Sequence, residues 1–205
     1  MTTTEEKVKE IKRSFRLMMD GQTAQSMRDK GVAYRVNWGA PLPMLREKAR
    51  ETGKDYDLAI ALWKEDVREC KILAVYVMPA ERMLPEVADI WMEQTREWEI
   101  AEIASSGLYC HLPFAAETAY CWIASDNERY RMSGFNVLSR LFMNGLTPDT
   151  RGINEYIDQL TTVMREDSLR VRKAAAASAV RFADLGIVYR RMADYALKSV
   201  GIELF

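Results

Sequence analysis

Three stretches of this 205-residue chain share one layout, and that layout narrows the possible folds more than any other feature. Asp66 is followed by Lys71 and Ala74, Asp126 by Arg131 and Gly134, and Asp167 by Arg172 and Ala175. An Asp in this register reads as a helix N-cap. The basic residue then projects from the first turns, and the small residue marks a close helix crossing. The run Trp122-Ile123-Ala124-Ser125-Asp126-Asn127 heads the middle copy. Such recurrence is the mark of stacked helical units, each unable to bury its apolar face alone. The expected fold is therefore all-α, an α-α superhelix built as a solenoid of antiparallel helix hairpins. Lys71, Arg131 and Arg172 are expected to project from inner helices toward one concave surface, with Trp63 and Trp122 packed in the seams between hairpins.

The rest of the chain agrees with helices throughout and gives no convincing strand. Thr3 and Glu6 stand at capping-box spacing, and Val8, Ile11, Phe15 and Met18 then fall on one helical face. Gly21, Gly31 and the stretch from Asn37 to Pro43 punctuate the next segment, with Pro41 and Pro43 suited to the first turn of a helix through Arg50. Asp55 or Asp57 caps a helix through Trp63, Asp66 caps another through Val77, and Pro79 stops it. Further helices are expected at residues 83–94, 96–107, 113–124, 127–143, 150–164, 168–184 and 187–200, with a second capping box at Ser125 and Glu128. No polar low-complexity linker interrupts the pattern, so residues 1–205 read as a single helical-repeat domain.

A chain with 48% hydrophobic residues supplies enough apolar surface for a substantial core. The start of the sequence has no signal-peptide pattern, and no apolar run reaches the length of a membrane span, so a cytoplasmic protein without membrane contact is expected. Cys70, Cys110 and Cys121 form no CxxC pair and read as buried free thiols. His111 has no ligand-type partner at helical spacing, so neither metal nor cofactor is expected. No Walker loop, dinucleotide fingerprint or HExxH motif occurs, which disfavours nucleotide hydrolysis, redox and metal-dependent chemistry.

The formal charge of −1 conceals an uneven distribution. Residues 1–50 carry 11 basic and 6 acidic side chains, residues 51–150 carry 9 and 17, and residues 151–205 carry 9 and 7. If a phosphate backbone is bound, the sources of affinity are Lys7, Lys9, Lys12, Arg13 and Arg16 at one end and Arg165, Arg170, Arg172 and Lys173 at the other, with Lys71 and Arg131 between.

Four segments together resemble the DNA alkylation repair proteins of the HEAT-like helical-repeat type, a family that includes an alkylpurine DNA glycosylase. They are the Pro-containing turn at residues 39–46, the helix pair at 58–74, the segment Trp98-Glu99-Ile100-Ala101-Glu102, and the Trp122–Asn127 heading. The resemblance covers most of the chain and implies a HEAT/ARM-like solenoid whose concave face holds duplex DNA. It also implies excision of cationic N3- or N7-alkylated purines. In that scheme two Trp side chains pack on the deoxyribose, a carboxylate stabilises the developing positive charge and orients water, and an Arg grips the phosphate.

Carried over position by position, Trp98 stands for the first Trp and Glu102 for the carboxylate, one methylene longer than the family's Asp. Met132 stands where active members have the Arg, and Ala177 where they have the second Trp. Two of the four groups are therefore absent. The expectation is a DNA alkylation repair-like protein that binds duplex DNA through Lys71, Arg131, Arg172 and Lys173, with Trp98 and Glu102 as the catalytic candidates and excision in question. The alternative is a noncatalytic helical-repeat scaffold, monomeric like the first, that binds a protein or peptide partner in an adaptable groove furnished by Trp38, Trp91 and the methionines.

Overall fold

The computed structural model describes residues 3–165 and 168–205. Among these the chain forms twelve α-helices and no strand: α1 (Thr4–Ser14), α2 (Gly21–Asp29), α3 (Leu42–Thr52), α4 (Tyr56–Lys64), α5 (Arg68–Val77), α6 (Pro85–Gln94), α7 (Trp98–Gly107), α8 (Ala115–Ile123), α9 (Glu128–Met143), α10 (Thr150–Met164), α11 (Leu169–Ala183) and α12 (Ile187–Lys198). The all-α expectation holds, and the helices from α6 onward begin and end within two residues of their predicted bounds. α2 was not anticipated. Gly21 reads as a break, yet the Asp20 carboxylate accepts the Thr23 N–H at 2.9 Å and starts a helix from it.

Side-chain caps set the starts of some helices. The Thr3/Glu6 box forms in full, and Asp55 and Asp149 cap α4 and α10 through the amides of Leu58 and Gly152. The Asp of the repeated register does not cap. α5 begins at Arg68 after an uncapped Val67, and Asp66 instead accepts the Arg35 N–H at 3.2 Å. α9 is capped by Asn127, whose side chain accepts from Arg129 N at 2.9 Å; Ser125 accepts from Asn127 N, so no box forms with Glu128. Asp167 lies outside the described residues. The small residues of the register are buried, Ala74 and Ala175 fully, and Gly134 marks a close crossing. A Cβ on Gly134 would stand 2.7 Å from Ile123 Cγ2 and 2.8 Å from the Ala119 carbonyl oxygen of α8.

The chain divides into two compact units, Met1–Trp91 with Thr95–Leu108, and Met92–Gln94 with Tyr109–Phe205. In the first, α1 packs on α4, α3 and α4 on α5, and α5 on α7. Phe15, Leu45, Leu58, Leu62, Ile72 and Leu73 are its buried centre. Trp63 stacks on Trp91 with ring centroids 4.1 Å apart and planes 3° from parallel.

An extended strap, residues 33–40, runs across the first unit and is held by four amide-to-carboxylate bonds together with backbone bonds to Asp20, Asp66 and Arg68. Ala33 N donates to Glu97 Oε1 and Arg35 N to Asp66. Val36 bridges to Val67, and Trp38 N and Ala40 N both donate to Glu69 at 3.2 Å. Glu69 is fully buried and pairs with Arg68, itself 2% exposed. The Arg68 guanidinium also grips Glu99 through two bonds of 2.8 and 2.6 Å and donates to the Ala40 carbonyl. Two buried charges are thereby matched donor for acceptor, as burial requires. The Gly39 turn that closes the strap has φ of 69°, and a Cβ there would collide with the Asp20 carbonyl and Ala24 backbone.

In the second unit α8 packs on α9, α9 on α11, α10 on α11 and α12, and α11 on α12. An aromatic series, Phe135, Phe142, Tyr156, Phe182 and Tyr189, fills its interior in mostly edge-to-face contacts. Trp122 is buried between Tyr109 and Tyr130, the packing role expected of it. Cys70 and Cys110 are buried as anticipated, but Cys121 is exposed, because it falls on the outer side of α8, one position before the buried Trp122. No helix of the described residues is long and apolar enough to cross a membrane.

Candidate nucleic-acid interface

The N-terminal cations expected to contact phosphate are largely engaged within the fold. Lys7 pairs with Asp55 at 2.7 Å and Lys12 with Glu65 at 2.6 Å, tying α1 to α4 and its end, while Arg16 lies over the Trp38 ring. Lys71 is similarly occupied. Its ammonium sits 4.5 Å from the Trp63 ring centroid and donates to the Trp63 carbonyl, and burial lowers its pKa against the pull of Asp66.

Trp98 and Glu102 lie one turn apart on α7, Trp98 half-buried at the first position and Glu102 exposed. The Arg68 grip on Glu99 fixes that first turn. No basic residue lies on α7 itself.

The second unit concentrates positive charge on two helices. α9 and α11 together hold Arg129, Arg131, Arg140, Arg170, Arg172, Lys173 and Arg181 against a single carboxylate, Glu128: seven minus one, a formal +6 in a chain that sums to −1. These helices pack side by side. On α11 the exposed positions Arg170, Lys173, Ala177 and Arg181 recur at spacings of three and four, which makes one longitudinal row. On α9 Arg129, Asn136 and Arg140 share one strip, of which Arg140 is exposed and the other two are half-buried. Arg181 shares its charge with Asp184 at 3.1 Å in an exposed pair that screening weakens.

The four sequence-derived contacts separate accordingly. Lys173 belongs to the exposed row. Arg131 and Arg172 are half-buried on the flanks of their helices, and the Nε of Arg172 is buried with no hydrogen-bond partner among the described residues. Arg129, Arg140 and Arg181, on the same two helices, were not among the sequence candidates. Counting basic residues by helical face, instead of by sequence segment, identifies them.

Met132 is 1% exposed and forms part of the core, so an Arg there would have no path to solvent without moving α9. Ala177, in contrast, stands on the exposed row. The absent Trp therefore leaves a flat surface, not a cavity. Among the described residues no group of His, Cys, Asp and Glu side chains is arranged to hold a metal ion.

The family model for the DNA alkylation repair enzyme matches residues 11–183. The chain belongs to that family. A solved structure described as a new family of proteins related to the HEAT-like repeat DNA glycosylases, with affinity for branched DNA structures, is similar in fold. The TM-score is 0.80 at 15% identity, over 94% of this chain and 82% of that one. The HEAT-like repeat fold is thus shared. No curated protein matches the sequence. In this chain Trp98 and Glu102 stand on α7, and the exposed cations of α9 and α11 are Arg140, Arg170, Lys173 and Arg181.

Proposed function

We propose that this protein binds DNA through the phosphate backbone along α9 and α11, without efficient excision of alkylated bases. The observation that carries the reading is the +6 charge of those two packed helices, with Arg170, Lys173 and Arg181 in one exposed row. Cations so arrayed attract a polyanion by releasing its condensed counterions and read no base sequence. Affinity of the structurally similar protein for branched DNA makes a four-way junction a natural ligand to compare with duplex.

Excision would need the α7 pair to act alone. Glu102 can stabilise an oxocarbenium-like sugar only if the sugar is held against it, and the phosphate-gripping Arg and second Trp are replaced by a core Met and a surface Ala. Fluorescence anisotropy with labelled duplex and junction, together with a single-turnover assay on duplex carrying 7-methylguanine, tests both halves. Salt-sensitive binding without base release is expected. Salt-independent binding, or binding unaltered in Arg170→Glu/Lys173→Glu, would refute the assignment; rapid release abolished by Glu102→Gln would restore the glycosylase reading.

A further inference from the structure

Helix α12 leaves an apolar row uncovered. Val188, Met192 and Tyr195 stand at i, i+4 and i+7, a single helical face, and are 58%, 39% and 80% exposed. Large side chains so placed cost free energy in water unless something covers them. The opposite side of α12 is committed to the core through Ala193, Ala196 and Leu197. Tyr189 seats on Phe182 of α11. The C-terminal residues do not cover the row, because Phe205 packs beneath Arg190, which points away from it.

The solvent edge of the row is cationic. Arg191 stands on it, while Lys198 beside it shares its charge with Asp194, the one carboxylate of α12, at 2.8 Å in a pair open to solvent. We propose that this face docks an amphipathic helix from a partner protein, with an apolar seam edged by carboxylates. Charge chooses this occupant over an antiparallel second copy of the chain. An antiparallel two-fold pairing would lay row on row but bring each cationic edge against its own counterpart. A membrane surface is also a poorer fit. The row of three spans about 11 Å of helix axis, short for an interfacial helix that must bury its whole apolar face in the headgroup boundary.

The full chain is titrated against two labelled synthetic helices with the same leucine seam, one edged by Glu and one by Lys. Anisotropy is expected to show binding of the Glu-edged helix and at least tenfold weaker binding of the Lys-edged one. Tyr195→Ser should weaken the first at least tenfold, and Arg191→Glu should reverse the preference. Sedimentation velocity and flotation with anionic phosphatidylglycerol vesicles complete the set. Equal binding of both helices, or indifference to Tyr195→Ser, overturns the proposal. So does self-association or vesicle binding that Tyr195→Ser abolishes. DNA binding by Tyr195→Ser should match wild type, so failure here is separable from failure of the DNA reading.

Discussion

At the scale of single residues, the Arg68–Glu69 pair is the most exacting feature of the fold. Glu69 is fully buried and accepts two strap amides and the guanidinium, so its loss leaves both amides without their acceptor and removes one of the two carboxylates that balance Arg68. We expect Glu69→Ala to cost ~3–5 kcal/mol, and Glu69→Gln, which keeps an acceptor for the amides, to cost less. Urea denaturation of both variants measures the difference. Tyr120 offers the opposite case. Its hydroxyl is buried with no hydrogen-bond partner among the described residues, and burial, with Asp149 and Glu155 nearby, pushes its pKa up to about 12. A pKa raised in the folded state means that this stability is complete below the unfolded value near about 10 and fades as pH rises toward the folded one. Tyr120→Phe should therefore be neutral or stabilising at pH 7 and should flatten the alkaline decline, as followed by urea midpoints across that range. Asp55 works in the acid direction. Lys7 and the Leu58 amide depress its pKa, so its contribution is present above the ordinary carboxylate range and is lost as pH falls through the depressed value.

At the scale of elements, every helix but α2 was legible because apolar periodicity and local caps are both written in contiguous residues. The register Asp was misread since a carboxylate before a helix can satisfy a distant amide as readily as its own, and Asp66 bonds to Arg35, 31 positions away. Its small residue was legible for a stronger reason: close crossing admits few side chains. Gly134→Ala should accordingly cost ~1–3 kcal/mol by overpacking, visible as a lower melting temperature, because its methyl meets the α8 backbone, which cannot rotate aside. The interface was only partly legible. Lys173 was singled out from the sequence, but Arg129, Arg140 and Arg181 join the proposed interface only when the face of each helix is known. Lys71 looked like a phosphate contact because a sequence does not show that Trp63 lies beside it.

At the scale of the whole molecule, the net charge of −1 says little about the surface DNA would meet. Each phosphate neutralised should contribute about −0.9 to the slope of log affinity against log salt. Arg170→Glu/Lys173→Glu should therefore reduce that slope by about 2 if both side chains touch phosphate, with little effect on thermal stability because both are exposed.

The placement of the three cysteines gives the molecule an internal clock for its own opening. Cys121 is at the surface, Cys70 lies inside the first unit and Cys110 inside the second. Burial holds both interior thiols above their ordinary pKa and so in their unreactive form. A thiol reagent should therefore mark Cys121 at once and reach the other two only through unfolding. Identical labelling rates at Cys70 and Cys110 would mean that residues 1–205 open as one cooperative body, and divergent rates would reveal a half that loosens first.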